Sequence, residues 1–193
     1  MGDPAGTVAG GIGAIAALPG VRLRGVSRLY ATEPVGVIDQ PEFRNAVVAL
    51  DTPAGNDPAT GALALLVALK ELERAFGRQD RKRWGPRELD LDLLVFGRHR
   101  IAVERPPAAR SADPAKPTDL VVPHRLAGER LFVLAPLADL APRLVPPGWS
   151  ETVDTARRRR ELIEGRAAVR PIATWERTSA LWRPDPRTGQ APR

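Results

Sequence analysis

The sequence predicts an α+β domain with a mainly antiparallel sheet, and three observations carry that expectation. Asp57 to Phe76 places Leu63, Leu66, Leu69, Leu72 and Phe76 on one helical stripe, with Gly77 where a C-terminal cap belongs. Leu89 to Phe96 alternates and then turns fully apolar, as a strand does when it runs from an exposed site into a core. The segments follow one another as helix, strand, strand, helix, strand, an order that suits helices packed on an antiparallel sheet.

Taken in chain order, Gly2 to Leu18 is rich in Gly and Ala, and Val8, Ile12 and Ile15 recur at helical spacing. This is a helix of low intrinsic propensity that depends on packing, ended by Pro19-Gly20. Val21 to Tyr30 carries Val21, Leu23, Val26 and Leu29, a strand of imperfect period, followed by a polar, proline-bearing loop from Thr32 to Pro41. Ala46 to Leu50 is a short β-rich run expected to be buried on both faces. After the long helix, Arg78 to Arg87 is a charged loop, and Pro106 to Pro117 is a polar, proline-rich stretch expected to be mobile. Glu129 to Leu140 is expected to be helical with an interruption near Pro136, and Thr152 to Glu164 to form a helix carrying the run Arg157 to Arg160. Disorder is expected after Trp182.

A chain of 193 residues, 43% hydrophobic, supports one good core. With no cysteine, disulfides and thiolate metal sites are excluded. No apolar run approaches the ~20 residues that cross a bilayer, and the N-terminus lacks the charged-then-apolar order of a signal peptide. Placement in the cytoplasm, with no membrane partner, is the expectation. A net charge of +6 invites a nucleic-acid reading. The basic residues are nearly all arginine, however, with only Lys70, Lys82 and Lys116 as lysines, and the few aromatic residues are not interleaved with them.

The stretch RWGPRELDLDLLVFG, Arg83 to Gly97, holds most of the chemical information. On a strand, residues two apart share a face. Asp90 and Asp92 therefore project together, while Leu89, Leu91 and Leu93 project into the core. Two adjacent carboxylates repel unless cations sit beside them, and magnesium favours one or two carboxylates plus water and substrate phosphates. An isolated DxD is more often two solvent-facing acids on a half-exposed strand. Here Arg78, Arg81, Arg83 and Arg87 directly precede the acids, supplying cations for phosphate oxygens beside anions for metal ions.

This stretch resembles the signature of the 6-hydroxymethyl-7,8-dihydropterin pyrophosphokinase family of folate biosynthesis. The resemblance extends through SRLYATEPVGVIDQPEFRNAVVAL, Ser27 to Leu50, and through LVVPHRLAGERLFVLAPLADLAP, Leu120 to Pro142. Three motifs in the right order over the middle of the chain make the match specific.

The resemblance implies a ferredoxin-like sandwich and transfer of pyrophosphate from ATP to the pterin alcohol, with AMP leaving and two Mg²⁺ ions at Asp90 and Asp92. It implies Arg78 and Arg87 as phosphate-contacting catalytic arginines. A pterin pocket would comprise Thr32, Pro34, Val35, Phe43, Asn45 and Phe132, the two phenylalanines sandwiching the flat ring. The ATP side would comprise Lys70, Glu73, Trp84, Arg87, Leu93, His124 and Arg130. Each has a plainer alternative: Phe43 and Phe132 as core residues, Asn45 as a turn residue, Trp84 as a loop anchor and His124 as a satisfied structural histidine.

Several features depart from the family pattern. Members open with a strand ending in Gly-Ser-Asn before a Gly-Asp dipeptide; here Gly2-Asp3 follow Met1 directly. The expectation is a ferredoxin-like domain lacking its N-terminal strand, with Met1 a misassigned start. A glutamine common in the family's helix is Lys70 here, and Asp80 stands where a second arginine is frequent. The domain is expected to span 1–165, with 106–117 an extended loop and 166–193 a partly disordered C-terminal extension. Small-molecule substrates, no nucleic-acid partner and a monomeric state complete the expectation. Two other readings compete: a weakly active or inactive relative that binds nucleotide or pterin, and an arginine-driven nucleic-acid-binding domain.

Overall fold

The computed structural model describes residues 3–33, 41–77, 89–111 and 117–185. Four helices and eight strands are built from them, and every strand pairing is antiparallel, giving the α+β architecture the sequence predicts. None of the helices is long and apolar enough to cross a membrane.

Helix α1 (Pro4–Ala16) starts at Asp3, whose carboxylate accepts the Ala5 N–H at 3.0 Å, with Pro4 in the first turn where its missing donor is harmless. Its glycines lower helix propensity, but one of them admits a neighbour. A Cβ on Gly11 would lie 2.9 Å from the Leu89 side chain. The small residue thus lets α1 close over the start of the Leu89–Phe96 segment.

Strands β1 (Arg22–Val26) and β2 (Leu29–Thr32) divide what the sequence reads as one strand, and β3 (Phe43–Asn45) and β4 (Val48–Asp51) divide in step. β1 pairs with β4, while β2 pairs with β3 and, on its other edge, with β7 (Val169–Glu176). Ser27 joins the two lengths: its N–H donates to the Val47 carbonyl at 2.9 Å and its Oγ accepts the Val47 N–H at 2.9 Å. β4 is half-buried rather than buried on both faces. Among the described residues it belongs to a two-stranded ribbon, which leaves one of its edges outside any ladder.

Helix α2 (Pro58–Ala75) is capped by Asp57, which accepts the Ala59 and Thr60 N–H groups at 2.9 Å each. It ends at Phe76 and Gly77, the latter at φ 90°, a conformation open to glycine. The buried face runs through Ala62, Leu65, Leu66, Leu69, Lys70 and Glu73, so it is rotated from the predicted stripe, and Leu63 and Leu72 pack at its flank. Against this face lie Ile15, Phe96, and Ile101, Leu120 and Val122 of the hairpin β5 (Ile101–Glu104) and β6 (Asp119–Val122). Part of the predicted mobile excursion is ordered: Pro107–Ala109 forms a 3-10 turn whose Ala109 is buried in the same core, with Arg74 donating to the Ala108 carbonyl. Residues 112–116 lie outside the described ones.

Helix α3 (Leu131–Leu140) contains Pro136 and packs Leu131 and Ala135 on Tyr30 and Val169 of the sheet formed by β3, β2 and β7 with a further strand, β8 (Leu181–Pro184). Its other side packs Leu134 and Leu137 on Val153 and Ala156 of helix α4 (Val153–Glu164), which Thr152 caps. The hairpin of β7 and β8 (Leu181–Pro184) uses most of residues 166–185, a span the sequence reading placed in an extension, as part of the ladder on β2. Trp175 and Trp182 face each other across it, ring centroids 4.9 Å apart in an edge-on contact. Arg183 and Pro184, past the point where disorder was expected, continue that strand; 186–193 lie outside the described residues.

The predicted strand at Leu89–Phe96 is the main correction. The segment keeps the exposure pattern of a strand but joins no ladder. A strand exists only beside a neighbour, and among the described residues the segment takes a backbone bond from the His124 N–H to the Leu94 carbonyl without forming a ladder. Its polar backbone groups are answered in another way, described next.

Candidate active site

One wall of the site is the β2–β3 hairpin. Its register sets Tyr30 opposite Asn45 and Thr32 opposite Phe43, so these four share a face. Asn45 Nδ2 donates to Thr32 Oγ1 at 2.9 Å, tying the two polar members together. Tyr30 packs against Leu131 and Phe132, so this face looks toward α3. Phe43 remains 49% exposed, whereas Phe132 is partly buried, with the Arg130 guanidinium 5.7 Å from its ring centroid.

The angle of α3 is fixed by a polar lock. Asp139 accepts from Arg28 at 2.6 Å and from the Tyr30 hydroxyl at 3.0 Å. Burial, with the Asp139 charge beside it, pushes the Tyr30 phenol well above its ordinary range, so it stays a hydrogen-bond donor.

A second part of the candidate site is the Leu89–Phe96 segment, linked to the first through His124, whose charged neighbours include Asp92 and Arg130. Leu89 is buried, and Leu91 and Leu93 pack against the main core, while Asp90 and Asp92 are exposed. The alternation puts both carboxylates on the solvent side, as expected. Leu91 is held on both of its backbone groups. Its N–H donates to Glu73 Oε1 at 2.7 Å, and its carbonyl accepts from Lys70 Nζ at 2.8 Å. The two side chains also pair with each other at 2.8 Å. Three residues further on, the His124 N–H donates to the Leu94 carbonyl at 2.9 Å.

Lys70 and Glu73 are 8% and 0% exposed, so they are interior residues of α2. Burial pushes the Glu73 carboxyl upward, with a smaller push from the adjoining Asp90 side chain, against the pull of Lys70 and the Leu91 N–H. His124 Nδ1 accepts the Leu126 N–H at 3.3 Å, leaving Nε2 as the nitrogen that carries the proton in the neutral ring. Burial lowers the His124 pKa; Asp92 opposes this, while Arg130, Arg105 and Lys70 add to it. The ring is therefore neutral near pH 7, in a field set by one carboxylate and three cations.

Arg105 is the residue in this group that the sequence reading passed over. It lies between the motifs, just after β5, where its Nε donates to the Asp119 carbonyl at 3.0 Å. An arginine closing an alternating apolar strand beside a proline was its only signal. Pro34, Val35, Arg78, Trp84 and Arg87 lie outside the described residues.

The donor set fits magnesium bound with substrate. Among the described residues no three His, Cys, Asp or Glu side chains gather as a ready-made metal cage. Asp90 and Asp92 offer two hard oxygen ligands, leaving the remaining positions for water and phosphate. The arginine run on α4, by contrast, is matched on its own helix and at its cap. Arg157 and Arg158 bind Asp154, Arg159 binds Glu151, and Arg160 binds Glu164.

The family profile described as 7,8-dihydro-6-hydroxymethylpterin-pyrophosphokinase matches residues 1–142. Similar proteins include three called 2-amino-4-hydroxy-6-hydroxymethyldihydropteridine pyrophosphokinase. The one from Methylorubrum extorquens is 40% identical over 159 residues, covering 81% of this chain and 85% of the relative. The Pseudomonas aeruginosa protein is 41% identical over 147 residues, 76% of this chain and 78% of the relative. That of Bacillus subtilis is 36% identical over 129 residues, 67% and 65% respectively. With a profile spanning well over half its length and relatives matched over most of theirs, the chain belongs to the 7,8-dihydro-6-hydroxymethylpterin-pyrophosphokinase family.

Proposed function

We propose that this protein transfers pyrophosphate from ATP to 6-hydroxymethyl-7,8-dihydropterin, giving the pterin diphosphate and AMP in folate biosynthesis. The observation that carries the reading is the exposed pair Asp90 and Asp92 on an alternating segment, with Lys70, Arg105, Arg130 and His124 gathered behind it.

In the proposed reaction the substrate hydroxyl oxygen attacks the β-phosphorus in line. The bond from that phosphorus to the α,β-bridging oxygen breaks, and the hydroxyl proton is released. The chain's part is positioning and charge neutralisation. Thr32, Pro34, Val35 and Asn45 would meet the pterin edge, and Phe43 and Phe132 would bracket its ring. Arg130 and His124, with Trp84 and Leu93, make the nucleotide side, and Arg78 and Arg87 the phosphate contacts. Asp90 and Asp92 would hold two Mg²⁺ ions, which would supply neutralisation of the phosphate charge. No strong base is assigned, because a carboxylate engaged with metal is a weak one. The protein is proposed to act as a monomer in the cytoplasm on small molecules alone.

An AMP-release assay with the pterin alcohol, ATP and Mg²⁺ tests this directly. Turnover is expected, and Asp92→Ala should abolish it. Full activity in that variant would overturn the assignment of the carboxylates.

A further inference from the structure

We propose that Lys70 and Glu73 are positioning residues for the metal-bearing segment, acting through the backbone of Leu91 rather than by touching nucleotide. The inference rests on the reading of Asp90 and Asp92 as metal ligands.

The geometry is that of a strand neighbour made from side chains. Leu91 stands between the two aspartates, so whatever fixes its peptide groups fixes the direction in which both carboxylates leave the backbone. In a sheet, an adjacent strand would offer Leu91 one carbonyl and one N–H. Here the Glu73 carboxylate takes the place of the carbonyl, at 2.7 Å, and the Lys70 ammonium takes the place of the N–H, at 2.8 Å. Their i,i+3 spacing on α2 lets one helical turn present both groups together, and their 2.8 Å contact holds each at the right reach.

Two further observations separate this role from direct nucleotide binding. Glu73 has no exposed surface; its Oε1 accepts from Lys70 and Leu91, and its carboxyl also adjoins the Asp90 side chain, so these contacts run to Lys70 and to the carboxylate-bearing segment. Around it, Ala62, Leu66 and Leu69 are buried, so the helix that presents the pair is itself rigidly packed. A site built on such an element holds its geometry better than one built on a loop. The segment it steadies belongs to no ladder, so among the described residues the Leu91 groups depend on this pair.

The test compares the double variant Lys70→Leu/Glu73→Leu, the single variant Glu73→Gln, and Asp92→Ala. Replacing both charged partners with apolar residues avoids stranding one buried charge. The glutamine keeps an oxygen for the Leu91 N–H. Four quantities are read: exchange protection of the Leu91 amide by NMR, Mn²⁺ affinity by electron paramagnetic resonance with a non-hydrolysable ATP analogue, affinity for AMP without metal, and kcat at saturating substrates.

Leu91 protection and Mn²⁺ affinity should fall in the double variant, with kcat down about 100-fold, the scale of an ångström-sized misplacement. AMP affinity should be unchanged, and Glu73→Gln should retain most of each property. Unaltered Mn²⁺ affinity and kcat in the double variant would overturn the proposal, as would a loss of AMP affinity with kcat intact, which would make the pair a nucleotide contact. If the double variant does not fold, Glu73→Gln decides: complete loss of kcat with Leu91 protection retained overturns the role. Asp92→Ala keeps the two readings apart. Activity retained there removes the metal assignment itself, whereas an inactive Asp92→Ala beside a normal double variant removes only the positioning role.

Discussion

The two walls of the site are held by different means. On the proposed pterin side, β2 has ladder partners on both edges, β3 and β7, and Thr32, Phe43 and Asn45, proposed to meet the pterin, ride on that ladder. On the carboxylate side, Leu89–Phe96 is extended but unladdered, and its central peptide is gripped by a lysine and a glutamate. A ladder spreads the load over many weak bonds, so losing one side chain changes little in the backbone. A clip concentrates it in two side chains, and substitution there propagates. The pterin wall should therefore tolerate truncation with local effects, and the carboxylate wall should not.

The largest expected effect is on chemistry. Asp92→Ala removes an exposed carboxylate that packs against nothing in the core, so stability should hardly change. Catalysis should fall by about 1,000-fold or more, since metal-borne charge neutralisation is worth several kcal/mol. Steady-state AMP release with a parallel thermal melt separates the two.

Glu73→Ala should show the reverse emphasis. It strands the Lys70 ammonium at 8% exposure and leaves the Leu91 N–H without its acceptor. A loss of about 3–5 kcal/mol is expected for breaking a buried pair from one side. Urea denaturation measures it, and a loss under 1 kcal/mol would mean the clip is not what holds this wall. Asn45→Ala makes the matching cut on the ladder side. It removes a single hydrogen bond to Thr32, so about 1 kcal/mol of stability should go. KM for the pterin should rise with kcat little changed; a fall in kcat as large as that of the clip variants would erase the contrast between the walls.

Much of this arrangement was legible in the sequence wherever the signal was local. The extent of α2 to a cap at Gly77 was legible because capping involves neighbours in the chain. The exposure of Asp90 and Asp92 beside Leu89 and Leu91 was legible because period two needs only an extended backbone. Whether that backbone joins a ladder was not, since pairing depends on what lies alongside. The same limit hid the pairing of Val169–Glu176 with β2, remote in sequence and interrupted by Pro171. Lys70 and Glu73 were misleading in another way. Charged residues on a helix read as solvent-facing or ligand-facing, so the apolar stripe was drawn a little to one side of the true buried face. Of the candidate site, the residues were named through the resemblance, and the geometry between them was not legible. Arg105, outside every motif, entered only once β5 and β6 brought it near His124.

A final variant checks that the contrast belongs to the walls rather than to ion pairs in general. Asp154 on α4 is paired with Arg157 and Arg158, and α4 packs on α3 through Val153 and Ala156. The Arg157 hydrogen bond, foremost, holds the Asp154 carboxyl below its ordinary value. A depressed folded pKa means the stabilisation is complete above the unfolded value, about 3.9, and is lost as pH falls through the lower folded value. Asp154→Asn should therefore cost only ~0.3–1 kcal/mol at pH 7, as exposed helical pairs do. The difference from the parent should shrink as the pH drops below 4, because the parent's carboxylate is then protonated as well. Neither KM for the pterin nor the metal dependence should move. Thermal melts across pH 3 to 7 follow the first effect, and a shift in metal dependence would show that ion pairs remote from Leu91 also set the carboxylate geometry.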